Sequence, residues 1–259
     1  MPYALNRFIA LTPRAVTLWK RLSKASALAR EIHALPTVSI NLMLEATNGA
    51  PPFFRDVTIG FYRTVCGPHA KFPLIARMRY GVAVCDLRQI QHDHYGHLDS
   101  AGKRNVKKAR RLGYRFAPFD FNAHLDAATR IHRSSVVRQG RQVHDWMLDE
   151  AKAHANPPSQ SHLHAYPYFG IFQGDTLVAY AACLIAGELC MIQTIYGHAQ
   201  FHSDGIIPLL LTSISDHLKS HHPQVAYYAY GTYYGATPSM QRFKRKFLFE
   251  PCCVNWHLS

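Results

Sequence analysis

Side chains that can transfer protons follow two of the predicted strands in the second half of the chain. Tyr196 and His198 come at the end of one strand, and Tyr233 and Tyr234 follow another. A histidine has an unperturbed pKa of about 6.5, so His198 can act as a general base near neutral pH, and a tyrosine can act as an acid. The chain contains 14 tyrosines, so a packing role for these rings is also open.

A dense basic segment lies in the middle of the chain, where seven cationic side chains and no acidic one fall within residues 103–115. They are Lys103, Arg104, Lys107, Lys108, Arg110, Arg111 and Arg115. Like charges at neighbouring helical positions repel, and a bound polyanion would relieve that repulsion. A second basic cluster covers residues 242–246. We expect these clusters to contact an anion, with a solvated basic face as the alternative.

Three histidines fall close together at His92, His94 and His97, with Asp93 among them. Histidine nitrogens are common zinc ligands, but no second cluster with a recognisable partner spacing accompanies these three. We therefore interpret this segment as a polar loop and expect no metal site.

The elements that would position these residues are most regular after residue 167. Residues 168–197 predict an antiparallel meander, because turns at Gly174 and Gly187 separate three runs of apolar and β-branched residues. A helix capped by Ser203 or Asp204 follows. The other predicted elements are a helix from Asp99 or Ser100 to Gly113, a helix from Asn122 to Gly140, a strand over 225–230, a helix over 238–247 and a strand near 252–257.

The first 98 residues predict a small mixed α/β subdomain, separate from a domain over 99–259. Thr12 can cap a helix with Pro13 at its first position, and an apolar stripe with a basic back runs to Ile32. We expect this helix to dock on its own domain, with a contact to a membrane surface as the alternative. The predicted strands are 38–44, 57–62 and 74–87.

Length and composition indicate a folded protein with anionic partners. The chain has 259 residues, of which 48% are hydrophobic, enough for a large core and too many for a disordered chain. Its 29 lysines and arginines exceed its 16 acidic residues, which gives a formal charge of +13. The six cysteines show no CxxC spacing and are expected to be reduced. Because no transmembrane run or signal peptide is recognisable, we expect a cytoplasmic protein.

The order of the predicted elements from residue 99 onward resembles the GNAT acyltransferase fold. Residues 103–109 resemble the RN-x-x-KA segment of FemAB-type aminoacyltransferases and their CelD-type relatives. Further matches follow in the same order: Ile131-His132-Arg133 before Arg138-Gln139-Gly140, Gly205 before Leu209-Leu210-Leu211, and Phe243 to Phe247 as FK-x-x-F. The resemblance implies an α+β fold with a mixed, mostly antiparallel sheet flanked by helices, preceded by a divergent or truncated N-terminal half.

The same resemblance implies direct transfer of an acyl group to an amine or hydroxyl, in a cleft where two strands of the sheet splay apart. On that layout Tyr196 and His198 meet Tyr233 and Tyr234 in the cleft, as candidate bases and acids. The residues expected to contact the donor are Arg104, Lys108, Ser203, Asp204 and Gly205. The residues expected near the acceptor are Lys244, Asn105, Tyr230 and Gly231.

The donor stays open between two classes. Residues 197–205 lack the Q/R-x-x-G-x-G/A pattern that holds the acetyl-CoA pyrophosphate in standard GNAT proteins. The CelD-type matches favour acyl-CoA or a carrier-bound acyl group, whereas the broad basic surface favours an aminoacyl-tRNA. We expect no permanently bound cofactor, and a nucleotide-linked acceptor would also suit the charge. A non-catalytic alternative is an RNA-binding module in which the tyrosines of residues 227–234 stack on bases.

Overall fold

The computed structural model describes residues 26–138 and 141–259. Its helices are α1 (26–33), α2 (Pro52–Cys66), α3 (His94–His97), α4 (Ser100–Arg111), α5 (Leu125–Arg133), α6 (Ile206–His221) and α7 (Pro238–Lys246). Its strands are β1 (Thr37–Asn41), β2 (Tyr80–Asp86), β3 (Arg115–Phe119), β4 (Val137–Arg138), β5 (Arg141–Gln142), β6 (His164–Ala165), β7 (Tyr168–Gln173), β8 (Thr176–Ala186), β9 (Leu189–Gly197), β10 (Tyr227–Thr232) and β11 (Glu250–His257). Most of the N-terminal helix predicted from Thr12 lies outside the described residues.

One large sheet organises the molecule, with the strand order β1-β11-β2-β10-β9-β8-β7-β3 and with β6 beside β8. The pairs β1–β11 and β9–β10 are parallel, and the other pairs in this sheet are antiparallel. The predicted α+β class with a mixed, mostly antiparallel sheet is therefore confirmed. The strand β2 lies between β10 and β11, so the sheet has no break at the domain boundary predicted near residue 98.

Helices cover both faces of this sheet, as the alternation of side chains along its strands requires. On β8, Cys183 and Ile185 face a core formed with α4 and α6, whereas Leu184 and Ala186 face a second core that includes Val65 of α2. The helix α5 packs on the second face farther along β7 and β8. Helices thus cover much of both sheet faces, and a ligand would find more room where two strands of the sheet separate.

The prediction of a strand over residues 57–62 is wrong, because this segment belongs to α2. Pro52 occupies the first turn, where a missing N–H costs nothing, and Phe54, Thr58 and Val65 recur on one buried face at helical spacing. The β-branched residues of this segment favour a strand by local propensity, but their burial on one helical face decides the outcome.

Two other boundaries differ from the prediction. The helix expected to reach Gly140 ends at Arg133, and β4 begins at Val137 after two serines, the first of which bonds back to the Ile131 carbonyl. The strand expected from residue 74 begins only at Tyr80. The predicted meander of β7, β8 and β9 is confirmed, with Gly174 and Gly187 at positive φ in its two turns.

The sheet opens between β9 and β10. These strands pair in parallel only from Leu189 with Tyr227 to Met191 with Ala229. Beyond this point β9 continues along β8 to Gly197, and β10 turns toward β2, where Thr232 pairs with Val82. The two strands therefore diverge, and the edge of β9 that faced β10 has no strand partner from Ile192 onward within residues 26–138 and 141–259.

Candidate functional site

A cavity of about 790 Å3 lies at the divergence of β9 and β10. Its walls come from the end of β9, from Tyr230 of β10, from the start of α6, from α4 and α7, and from the chain that carries β4 and β5. Small-molecule sites typically measure roughly 300–1,000 Å3, so this main cavity is large enough for a substrate. Five of the predicted site residues line it: Asn105, Tyr196, Ser203, Gly205 and Tyr230.

The main cavity joins an apolar wall to a cation. Val137, Val143, Met147 and Ile195 contribute apolar surface, and Arg138 lies among them. No aspartate or glutamate lines this cavity among the described residues. A ligand with an apolar part and an anionic group would complement this lining.

Within the described residues, the hydrogen bonds of Arg138 all go to backbone carbonyls. Its Nη2 donates to the carbonyls of Ile131 (2.6 Å) and His132 (3.3 Å) at the end of α5, and its Nη1 donates to the carbonyl of Gly197 (3.3 Å) at the end of β9. Its Nε is buried and has no hydrogen-bond partner, and no described carboxylate pairs with the guanidinium. Burial lowers the pKa of Arg138, but an arginine keeps its charge in proteins.

Arg138 is half-buried, and an anionic group that pairs with its guanidinium would offset the cost of that partial burial. The carbonyl contacts give Arg138 a structural role as a cap of α5, because a cation at a helix C-terminus is stabilising. They leave the full positive charge uncompensated beside the main cavity. Its Cζ also lies 5.5 Å from the centre of the Tyr196 ring, which fixes the orientation of the guanidinium.

His202, rather than His198, is the histidine of this segment that lines the main cavity. Its Nε2 lies 2.9 Å from the carbonyl oxygen of Gly197. Because a carbonyl only accepts hydrogen bonds, Nε2 carries the proton and Nδ1 keeps the lone pair. A neutral His202 thus has one nitrogen available as a proton acceptor.

His198, the predicted base, does not line the main cavity. Its ring packs against Phe201, with 5.2 Å between ring centres, and its Nδ1 is buried without a partner. Burial is the main cause that lowers the pKa of His198, and the nearby His202 and arginines lower it further. This arrangement makes His198 a poor candidate for contact with a substrate in the main cavity.

A smaller cavity of about 290 Å3 adjoins the main one, with Tyr230 and Met240 lining both. Lys244 and Tyr234 line only the smaller cavity. Lys244 is 5% exposed, and its Nζ donates to the carbonyls of Tyr230 (2.6 Å) and Thr232 (2.8 Å). No carboxylate lies within ion-pair distance of this ammonium in the described part of the chain.

The surroundings of Lys244 make its ammonium more acidic than that of a solvated lysine. Burial lowers the pKa of Lys244 to about 8, and its Nζ lies 4.7 Å from the centre of the Tyr230 ring. Burial also raises the pKa of Tyr230 to about 12. Two N–H groups of Lys244 donate to carbonyls. The charged ammonium has one further N–H donor, whereas the neutral amine has a lone pair in its place. Gly231, at φ 57°, passes next to this ammonium.

Tyr227, Tyr228 and Tyr233 are parts of the core. Tyr233 is buried, and its backbone N–H donates to the carbonyl of Gly81 at 2.6 Å. Tyr227 and Tyr228 are buried as well. The Tyr-rich segment is therefore not an exposed platform on which bases could stack, which removes the main support for the RNA-binding module.

The predicted donor residues of α4 are engaged elsewhere or point outward. Lys108 forms an ion pair with Asp204 (3.0 Å) and donates to the carbonyl of Ser203 (2.8 Å), and Tyr114 donates to Asp204 (2.9 Å). The hydrogen bond from Lys108 is the main cause that lowers the pKa of Asp204. Arg104 is exposed and lines none of the cavities described here. Of these residues, Lys108 and Asp204 therefore act first as a structural contact.

Gly205 holds α4 against the start of α6. It has φ 84°, and a Cβ at this position would lie 2.3 Å from the backbone oxygen of Asn105. Only glycine combines this backbone conformation with so close an approach. Gly205 therefore places Asn105 and the first turn of α6 on the same wall of the main cavity.

A basic groove of about 830 Å3 borders the main cavity on the other side of Phe243, which lines both. Arg242, Arg245 and Lys246 of α7 line this groove, together with His97 and Asp99 beside α4. The cations of α7 other than Lys244 thus face a surface that a polyanion can reach. Within the described residues, no helix is long and apolar enough to span a membrane.

No protein-family model matches the chain, and none of the curated proteins does. Among solved structures, FemX matches 66% of this chain and 59% of its own, with a TM-score of 0.49 and 7% identity. L-PGS from Bacillus licheniformis matches 66% of this chain and 57% of its own, with a TM-score of 0.45 and 14% identity. A GCN5-related N-acetyltransferase from Kribbella flavida matches 67% of this chain and 54% of its own, with a TM-score of 0.41 and 13% identity.

This chain therefore covers less than two thirds of the length of each of these proteins. They are GNAT-fold acyltransferases, which is the resemblance predicted from the sequence. Because all three TM-scores are below 0.5, the fold assignment rests on the element order and strand pairing of this chain itself.

Proposed function

We propose that the chain is an acyltransferase that moves an acyl group from acyl-CoA, or from a carrier-bound thioester, to an amine or hydroxyl in the main cavity. The observation that carries this proposal is the cavity itself, which lies where β9 and β10 diverge and exposes an unpaired edge of β9. An unpaired strand edge offers backbone N–H groups, and such groups can hold the oxygen of a thioester as negative charge develops on it.

The reaction needs few parts beyond this edge. The acceptor nitrogen or oxygen attacks the carbonyl carbon of the thioester, a new C–N or C–O bond forms, and the C–S bond breaks. The proton lost by the acceptor goes to Nδ1 of His202 and then to the leaving thiolate. In this proposal His202 takes the role that the sequence suggested for His198, because His202 lines the main cavity and has a free ring nitrogen.

Arg138 supplies recognition of an anionic group on the bound substrate. Its charge is uncompensated by any described carboxylate, and its Nε has no partner. Hydrogen bonds to charged groups contribute about 1.5–3 kcal/mol each, so such a contact would add strongly to the affinity for an anionic ligand. Lys244, in the adjoining cavity, provides a second donor or acceptor of protons close to Tyr230.

A second candidate donor is an aminoacyl-tRNA, and the basic groove favours it. Arg242, Arg245 and Lys246 line this groove, which meets the main cavity at Phe243. A nucleic acid in the groove could place its esterified end in the main cavity, and its phosphates would release counterions on binding. A compact CoA tail would need fewer of these cations.

Calorimetry on the purified full chain distinguishes the two donors. We would titrate acetyl-CoA, decanoyl-CoA and bulk deacylated tRNA at two salt concentrations, with wild type, Arg138→Gln and Arg130→Gln. Arg130 is the matched control, because it is an exposed arginine of α5 that does not line the main cavity.

For the acyl-CoA proposal we expect saturable binding of one equivalent of a thioester, weakened about tenfold or more in Arg138→Gln and unchanged in Arg130→Gln. Tight tRNA binding that falls steeply with salt, with no heat from either thioester, would move the proposal to the aminoacyl-tRNA donor. Equal effects of the two arginine substitutions would remove Arg138 from substrate recognition.

A further inference from the structure

An exposed apolar hairpin projects from the molecule between α2 and β2. Its base is closed by hydrogen bonds from the Arg77 N–H to the Gly67 carbonyl (2.7 Å) and from the His69 N–H to the Ile75 carbonyl (2.8 Å). The Met78 carbonyl at its end accepts from the Trp256 indole at 2.8 Å. This hairpin, residues 67–79, is therefore a built feature of the fold and not a loose connection.

The tip of the hairpin exposes three large apolar side chains to solvent. Leu74 is 102% exposed, Phe72 is 61% exposed and Ile75 is 39% exposed. Single exposed apolar side chains are common on protein surfaces, but three in four residues on a projecting tip are not explained by incomplete coverage of a core.

Cations and no acidic residues accompany this tip. Between Asp56 and Asp86 the chain has no aspartate or glutamate, whereas Lys71 and Arg77 flank the apolar tip and are exposed. Arg79 follows at the base of the hairpin. An anionic lipid bilayer has an apolar acyl region beneath a layer of charged headgroups. Apolar side chains at the tip can enter the acyl region, while the lysine and arginine side chains contact the anionic headgroups.

The described part of α1 ends beside β11, the strand that the base of the hairpin also contacts. The Pro36 carbonyl, just after α1, accepts from the N–H of Cys253, and the Arg79 carbonyl accepts from the N–H of Val254. These two residues are neighbours on β11, so the end of α1 and the base of the hairpin flank one strand. In α1, Leu28 is 43% exposed, and Arg30 and Glu31 are exposed as well.

We propose that the hairpin of residues 67–79 docks the protein on the surface of an anionic phospholipid bilayer. The bilayer fits better than a nucleic acid, because Leu74 and Ile75 are aliphatic and cannot stack on bases. It fits better than a folded protein partner, because the apolar groups project from a tip instead of lining a groove. The inference does not depend on the proposed acyl transfer, because it rests on a different surface.

Vesicle co-sedimentation of the full chain tests this inference. One vesicle preparation contains equal parts of phosphatidylcholine and phosphatidylglycerol, and the other contains phosphatidylcholine alone. The test variants are Phe72→Ser with Leu74→Ser, and Lys71→Gln with Arg77→Gln. The matched controls are Leu112→Ser with Val136→Ser, which are exposed apolar residues elsewhere, and Lys107→Gln with Arg111→Gln, which are exposed cations of α4.

We expect the wild type to bind the anionic vesicles and to bind much less to phosphatidylcholine alone. The apolar double variant should bind at least about tenfold more weakly, and the charge double variant about twentyfold more weakly at low salt, while both controls stay within about threefold of wild type. All variants replace exposed side chains, and thermal unfolding will verify that they fold.

Three results would overturn the inference. The first is an absence of binding to anionic vesicles. The second is equal losses in the α4 control, which would move lipid binding to the basic helix. The third is that replacing Phe72 and Leu74 lowers the affinity for tRNA but leaves vesicle binding unchanged. This result would identify the hairpin as a nucleic-acid contact.

Discussion

Two regions next to the main cavity satisfy their positive charges in opposite ways. Where α4 meets the segment before α6, Lys108 pairs with Asp204 at 3.0 Å and Tyr114 completes the contact. In the cleft between β9 and β10, Arg138 and Lys244 donate hydrogen bonds to carbonyl oxygens and pair with no carboxylate of the described residues. The charges of Lys108 and Asp204 cancel each other. The charges of Arg138 and Lys244 are not cancelled by any described carboxylate and are therefore available to an anionic ligand.

This difference separates structural cations from candidate functional ones. A half-exposed ion pair contributes little to stability and binds no further anion strongly, because its charge is already matched. The buried Lys244 and the half-buried Arg138 pair with no described carboxylate, and such unmatched cations concentrate at functional sites. Sequence reasoning could rank neither region, because a lysine of α4 and a lysine of α7 look alike in a basic run.

The largest expected effect separates two histidines of one segment. His202→Gln should lower the rate constant of acyl transfer about a hundredfold, because general-base catalysis typically contributes that much or more. His198→Gln should leave the rate within about threefold, because His198 does not line the main cavity. The measurement is thiol release from an acyl-CoA in the presence of a panel of amines. A larger loss in His198→Gln would reverse the assignment.

The second effect tests the comparison of the two cationic regions directly. Arg138→Gln should lower kcat/KM for the same reaction by about 10- to 100-fold, because it removes hydrogen bonds from a charged donor to the substrate. Lys108→Gln should change kcat/KM by less than about threefold, because Lys108 already binds Asp204 and the Ser203 carbonyl. Equal losses would show that the ion pair is part of substrate binding.

The fold was largely predictable because local signals and the global topology agree. Gly174 and Gly187 mark the turns of the meander, and both adopt the positive φ that glycine tolerates. The exception is α2, where β-branched residues favour a strand locally and only tertiary burial selects the helix. The joining of β1 and β2 to the C-terminal strands is a long-range pairing that no local pattern encodes.

The site was predictable in outline but not in its charged groups. Tyr196, Tyr230 and Gly205 line the main cavity because strand ends and a helix start fix their positions. The sequence marked Arg138 only as part of a motif, since the carbonyls that orient its side chain come from α5 and from Gly197. Whether His198 or His202 faces the cavity depends on one turn of 3-10 helix between them, which spacing alone does not resolve.

The third effect uses the pKa of Lys244. Burial lowers this pKa from 10.5 to about 8 in the folded protein. Between these two pH values the unfolded chain binds more protons at this lysine than the native protein does, so the contribution of Lys244 makes the free energy of unfolding rise with pH. The gain should be about 2.5 kcal/mol from pH 8 to pH 10.5, and it should be missing in Lys244→Met.

Urea unfolding at several pH values measures this gain. Lys246→Met is the matched control, because Lys246 belongs to the same helix but is only partly buried. It should keep the pH-dependent gain of the wild type, so the difference between the two variants isolates Lys244 from the tyrosines and cysteines that also titrate in alkali. If Lys244→Met retains the gain, the ammonium of Lys244 is as well solvated in the native protein as in the unfolded chain. Lys244 would then not count among the unmatched buried cations of the cleft.

The smallest expected effect concerns the ion pair itself. A double-mutant cycle of Lys108→Met and Asp204→Asn should give only a small coupling energy in urea unfolding, because both side chains are partly exposed and salt screens them. The coupling should shrink at high salt. A coupling that is large and insensitive to salt would mean that the contact is effectively buried and rigid. The segment from Ala199 to Asp204 would then be held from the α4 side, and replacing Lys108 would slow acyl transfer by displacing His202.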